Sequence, residues 1–286
     1  MTMGENGAAR PAKPRIDVWA ALKASLLAVF TDFNTFFAGA WIWAVAIYAA
    51  GVAGGFFAAI SGHPDRADMA ANILGTIPYI AGGTAFAVGW HRHVIFGEKV
   101  TSTSTLRFGG REWRFLLFSL PLAVMVAAVT FLLQPILSAL ASGAAVSDLA
   151  WKDAGSVLLA IVLLSIQVRL SFFAPLAAAD IPGDILTRSW RLTRGNGLRI
   201  FAGIFLLTVI FLIPRAADTL AFIVAMNRGG GLLTFTVFSL IGNLINLAFI
   251  AVAAGFISHA FAQTAGWTLP LSAAAMRSLD LERASR

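Results

Sequence analysis

The chain has 286 residues, of which 58% are hydrophobic and only 12% charged, and its mean hydropathy is +0.80. Soluble domains are about a quarter charged, so this composition excludes an ordinary water-soluble globule and indicates an integral membrane protein. The absence of cysteine excludes disulfides, thiolate metal centres and cysteine nucleophiles, and the net charge of +7 implies a polyanionic partner only if its distribution allows one.

Residues 1–15, "MTMGENGAARPAKPR", are polar, contain Pro and Gly, and precede no short apolar core with a small-residue cleavage site. They read as a disordered cytoplasmic tail and not as a cleaved signal peptide. Next, Val18, Trp19, Leu22, Leu26, Val29, Phe30 and Phe33 form an apolar stripe with Asp17, Ser25 and Asp32 opposite, the pattern of an amphipathic helix lying in the membrane interface.

A helix needs about 20 residues to cross roughly 30 Å of hydrocarbon. Charge-poor stretches of that length occur near 34–60, 69–90, 115–141, 155–178, 199–226 and 232–262. The expected fold is therefore all-α and polytopic, a six-span membrane domain over 16–268 followed by a cytoplasmic tail over 269–286. Pro78, Pro121, Pro135, Pro175 and Pro214 mark expected kinks. Gly51 and Gly55 form a GxxxG in the first span, and Gly82, Gly83 and Gly89 lie in the second, so close helix packing is expected at both places.

Sixteen basic residues fall on one side of this layout: Arg10, Lys13, Arg15 and Lys23; Arg92, Lys99, Arg107, Arg111 and Arg114; Arg188, Arg191, Arg194 and Arg199; Arg277, Arg283 and Arg286. The other side holds Arg66, Lys152 and Arg228. The positive-inside rule then puts both termini in the cytoplasm and the chain in a cytoplasmic (inner) membrane. Trp19, Trp90, Trp113, Trp190 and Trp267 fall near the basic interface and Trp151 near the other, as aromatic belts do.

Three lead-in segments share a layout: "TDFNTFFAGAW" at 31–41, "GREWRFLLFSL" at 110–120 and "GNGLRIFAGIF" at 195–205. Equating Thr35, Arg114 and Arg199 gives spacings of 79 and 85 residues, the signature of a threefold repeat of same-orientation hairpins. The third is preceded by "ILTRSWRLTR". On a helical wheel Ile185, Leu186, Ser189, Trp190, Leu192 and Thr193 cover one arc, and Arg188, Arg191 and Arg194 the other. Pro182 and Asp184 suit its start and Gly195 its stop. The arginines are expected to contact lipid head groups beside Trp190, and a nucleic-acid partner is excluded because membrane spans tether the segment at both ends.

Ionisable residues inside spans are expensive and raise a functional question. Arg169 falls in the fourth span, and Arg215 and Asp218 in the fifth. Counting about 1.5 Å per residue puts Arg169, Gln167, Arg215 and the sixth-span Asn243 and Asn246 at similar depth. Two arginines against one aspartate leave a surplus positive charge that a lipid phosphate or small anion would satisfy. The competing reading is an internal hydrogen-bond network locking spans four to six. His91, His93 and His259 lie toward one side, but their spacing supports no metal site and interfacial roles are expected. No P-loop, HExxH, GxSxG or Asp-rich motif occurs, so neither a catalytic residue nor a cofactor is expected.

The run "RLSFFAPLAAADIPGDILTRSWRLTRGNGLRIFAGIFL" at 169–206 resembles a widespread bacterial six-helix membrane family that includes the membrane domain fused to some glycerophosphodiester phosphodiesterases. The pattern is carried by Arg169, Pro175, Ser189, Trp190, Leu192, Thr193, Gly195 and Asn196. The resemblance implies six helices in hairpins across most of the chain. No phosphodiesterase domain is present, so that activity does not carry over. The expected function is a non-enzymatic module that binds or moves lipid or a small anion, with membrane lipids as partners. The alternative is a structural or scaffolding subunit that assembles with itself or with a partner enzyme.

Overall fold

The computed structural model describes residues 14–61, 64–141, 154–267 and 269. Of the tails expected at 1–15 and 269–286, residues 1–13 and 270–286 lie outside the described residues, as do Trp151 and Lys152, while Pro14 accepts a bond from Asn196 and Leu269 is buried. Ten helices follow in order: α1 (Val18–Thr31), α2 (Phe33–Ser61), α3 (Pro64–Phe96), α4 (Ser102–Thr105), α5 (Gly110–Ala141), α6 (Ala154–Leu170), α7 (Phe173–Ala178), α8 (Ile185–Thr193), α9 (Gly197–Asn227) and α10 (Leu232–Ala265). No strand occurs among the described residues.

Among the described residues, five stretches are long and apolar enough to cross a membrane: Phe33–Phe57, Gly110–Gln134, Gly155–Ala178, Gly197–Asn227 and Leu232–Ala265. The 33-residue α3 is not among them. Helices α3, α5 and α9 continue through Pro78, Pro121 and Pro214. The stretch Gly155–Ala178 does break. Helix α6 ends at Leu170, and α7 restarts at Phe173 with Pro175 in its first turn, where a missing amide costs nothing.

Helix α10 is the axis of the bundle and touches α1, α2, α3, α7, α8 and α9. The α5–α6 pair packs on itself and joins the rest through α3, α7, α8 and α9. One end of the bundle, here the near end, holds residues 14–17 and the end of α10. There the Asp17 amide donates to Gln263 Oε1 at 2.7 Å. The far end holds the α9–α10 turn.

The core lies toward the near end. Trp90 stacks on Phe86 at 5.9 Å between centroids, meets Phe36 edge-on at 6.2 Å and lies 5.0 Å from the His93 ring. Every residue of α7 is buried, and Phe172 packs edge-on against Phe261 at 5.8 Å. Small residues let the helices approach. A Cβ on Gly203 would come within 2.0 Å of the Phe256 ring, one on Gly82 within 2.5 Å of the Trp43 indole, and one on Gly255 within 3.0 Å of Ser25. Gly51 and Gly55, expected to form a packing face, have open space above them. The close approaches lie elsewhere, where a large ring or a hydroxyl fills the notch.

Helix α1 also differs from expectation. It packs along the last turns of α10 and against α9 through Ala21, Leu22, Ser25, Ala28 and Val29. Trp19 and Phe30 point outward, 72% and 74% exposed. Ser25, expected on the polar face, is fully buried and satisfies itself by donating to the Leu22 carbonyl at 2.8 Å. The small face wins the core contact because it permits closer backbone approach, and the aromatic face is left for the surroundings.

Candidate functional site

The sequence places Arg169 and Arg215 in one cluster; the structure separates them. Arg169 lies in the last turn of α6, and its carbonyl accepts bonds from the Ser189 and Thr193 hydroxyls of α8, both at 3.0 Å. Its guanidinium sits 5.8 Å over the Trp190 ring. Arg215 lies 18 residues along α9 from Gly197, about 27 Å of helical rise away from that end. The depth count fails because the fourth span is not one straight helix: its break at Ser171 and Phe172 brings Arg169 to the near end. Gln167 accompanies Arg169 and lines a mostly apolar cavity of about 390 Å³ with Leu122, Phe201 and Phe205.

At the far end Arg215 and Asp218 do come together with α10. Arg215 Nη1 donates to Asp218 Oδ2 at 3.1 Å, one turn apart on α9. The pair closes over Gly242, where a Cβ would lie 2.4 Å from Nη1 and 3.0 Å from Oδ2. Only glycine admits the guanidinium at this point of α10. Asn243 donates through Nδ2 to the Ala44 carbonyl of α2 at 3.3 Å, tying α10 to α2 beside the pair. Asn246 is half-buried one turn nearer the core.

Arg215, Asp218, Gly242 and Asn243, but not Asn246, line a cavity of about 380 Å³ bounded by α2, α9 and α10, within the roughly 300–1,000 Å³ of small-molecule sites. Arg215, Asp218, Ser239 and Asn243 supply its polar wall. Tyr48, Phe222, Phe235 and Phe238 supply an aromatic one, with ring centroids 6.4 Å apart for Tyr48–Phe235, 6.2 Å for Phe222–Phe235 and 6.0 Å for Phe222–Phe238. Tyr48 hydroxyl and Thr236 hydroxyl share a bond of 2.6 Å. The fourth span contributes nothing here, while the first contributes Ile47, Tyr48, Gly51 and Val52. Sequence reasoning passed over Tyr48, although a phenol in an apolar run, one of two tyrosines in the chain, was a usable signal.

The electrostatics of the cavity are uneven. Arg215 is 47% exposed in its side chain and has one of its five donors committed to Asp218. The Asp218 side chain is only 8% exposed, and its Oδ1 is buried without a hydrogen-bond partner. A buried acceptor left unpaired costs about 1–3 kcal/mol, more when charged, so this oxygen is a place where a ligand donor gains.

The basic segment is built for cohesion. Asp184 caps α8 by accepting from the Leu186 and Thr187 amides, both at 3.1 Å, and bonds from Thr187 hold its carboxyl below the ordinary range. Ile185, Ser189 and Thr193 are buried, while Arg188, Arg191 and Arg194 face outward and Trp190 is about half exposed. Gly195 turns the chain at φ 89°. Buried Asn196 then accepts from the Ile16 amide at 3.1 Å and donates to the Pro14 carbonyl at 3.1 Å, and Arg199 Nη1 donates to the Ile16 carbonyl at 2.9 Å. The residues that carried the family resemblance thus fasten α6, α8 and the N-terminal segment together.

The histidines do not converge. His91 Nδ1 shares a 2.7 Å bond with the Ser258 hydroxyl, and His93 Nδ1 donates to the Glu98 carbonyl at 2.8 Å. Among the described residues no three metal-ligating side chains come together.

Fold and site together define a class: an all-helical protein with several helices able to cross a membrane and a paired-charge cavity between three of them. No protein-family model, no curated protein and no solved structure matches the chain.

Proposed function

We propose that this is a six-span protein of a cytoplasmic membrane, with α2/α3, α5/α6–α7 and α9/α10 as its three hairpins and the near end in the cytoplasm. In this reading α3 serves as the remaining span, which its 33 residues and long contact with α2 support. The near membrane boundary falls at Arg199, the last basic residue before the apolar run of α9. Thirty ångströms of hydrocarbon at about 1.5 Å per residue then end some 20 residues later, close to Thr219. Arg215 and Asp218 therefore lie within a turn or so of the far boundary, at a depth that a lipid head group reaches.

The function this supports is non-enzymatic binding of a lipid head group or small anion at the far-end cavity. The observation that carries it is the Arg215 guanidinium, committed to one bond and lining a 380 Å³ cavity beside an unpartnered carboxylate oxygen. A purely structural ion pair would close on itself and leave no such space. Native mass spectrometry of the gently extracted chain tests it. Wild type should carry a retained lipid or anion that Arg215→Gln loses at unchanged thermal stability; retention unaffected by that substitution overturns the proposal.

A further inference from the structure

The charge balance of the far-end cavity narrows the ligand, in an inference that rests on the binding function just proposed. Its ionisable wall is one Arg and one Asp, one turn apart and joined through Oδ2 alone. A plain anion on Arg215 would sit beside the Asp218 carboxylate, repelled by it, and would leave Oδ1 as unsatisfied as before. A plain cation would meet the opposite objection at the guanidinium. A ligand carrying both charges meets neither.

We infer that the cavity of Tyr48, Arg215, Asp218 and Phe235 takes an ammonium–phosphate zwitterion, the chemistry of an ethanolamine phospholipid head group. The phosphate is held by the uncommitted donors of Arg215. The ammonium donates to Asp218 Oδ1, the buried oxygen that has no partner within the protein. Aromatic rings recognise ammonium groups through their negative faces, and the cavity supplies four of them in Tyr48, Phe222, Phe235 and Phe238. An aromatic wall beside a carboxylate is the composition expected of an ammonium subsite and has no purpose in an anion-only one. Gly242 leaves room for the pair, because a methyl there would lie 2.4 Å from Arg215 Nη1 and require the guanidinium to shift.

The test uses the full chain in nanodiscs of equimolar phosphatidylethanolamine and phosphatidylglycerol with matched acyl chains, read by native mass spectrometry after release. Wild type should retain phosphatidylethanolamine over phosphatidylglycerol by at least tenfold. Asp218→Asn should erase or reverse that preference while lipid is still retained, and Arg215→Gln should lose both lipids. Phe235→Leu leaves the ion pair intact and should lower the preference severalfold, so the inference stays testable if the Asp218 variant does not fold. Free phosphoethanolamine is then titrated in: displacement of the retained lipid shows that the site accepts the soluble zwitterion, and resistance shows that it takes the group only on a lipid. Retention of phosphatidylglycerol equal to or above phosphatidylethanolamine, unmoved by Phe235→Leu, overturns the zwitterion and leaves anion binding standing. Retention indifferent to Arg215→Gln overturns both.

Discussion

The two ends of this bundle are built on opposite principles. Of the ten buried polar residues among those described, nine (Ser25, His91, His93, Thr105, Ser189, Thr193, Asn196, Ser258 and His259) lie toward the near end, as do the large buried rings of Trp90, Phe172, Phe256 and Phe261. Among the described residues the far end holds few fully buried side chains, its apolar residues facing outward around a cavity and an ion pair. Hydrogen bonds and interlocked rings need no lipid to hold them, so the near end carries the cohesion. The far end leaves its helices apart, which creates space for a ligand. The difference teaches that the basic, motif-bearing end concentrates the described packing and polar contacts, while the sparse end leaves open space beside two charges.

Substitutions can break this contrast, and their effects should rank by end. Trp90→Ala removes a fully buried ring and should cost about 3–5 kcal/mol, seen as loss of the folded fraction in detergent denaturation. Gly203→Ala forces a methyl into the Phe256 ring and should cost about 1–3 kcal/mol by the same measurement. Asn196→Ala strips partners from the Ile16 amide and the Pro14 carbonyl. It should cost about 1–3 kcal/mol and expose residues 14–17 to protease, which wild type resists. Gly51→Ala at the far end meets open space and should change stability by less than about 1 kcal/mol, in the stabilising direction expected of a helix interior. A large loss there would mean that the far end is as tightly packed as the near one.

The smallest effect is electrostatic. Bonds from Thr187 and Leu186 favour the ionised form of Asp184, so its folded pKa lies below its unfolded one. The capping contribution is therefore complete above the ordinary carboxylate range and disappears as pH falls through the lowered value. The protection of the Leu186 and Thr187 amides, measured against their intrinsic exchange rates, should fall in acid in wild type, whereas Asp184→Asn, which caps without titrating, should show no such pH step. An identical step in both would assign the loss to another group.

Much of the fold was readable because it depends on local signals. Helix α8 runs from a capping aspartate to a glycine that must turn left-handed, with buried positions at Ile185, Ser189 and Thr193 and arginines opposite. What was not readable depends on neighbours. The α1 sequence offers both a small face and an aromatic face to a partner, and the neighbours decide between them, Gly255 on α10 leaving the notch that Ser25 fills. The break before α7 has no glycine to announce it, so counting residues along one straight span carried Arg169 and Gln167 to the wrong depth. The Arg215–Asp218 pairing was legible from its i, i+3 spacing. Asn243 was legible beside it from its depth, but Tyr48 was not, because it precedes Arg215 by 167 residues and nothing in a single sequence records that proximity.

The clamp on residues 14–17 also sets an order of assembly. Ile16 and Asp17 bind Asn196 and Gln263, and Ala21 to Val29 are covered by α9 and α10, so α1 has no permanent seat until α9 and α10 are made. Contacts of such long sequence separation form late. During synthesis α1 must wait with its small face uncovered, and its docking closes the contacts between the start of the described chain and its last two helices.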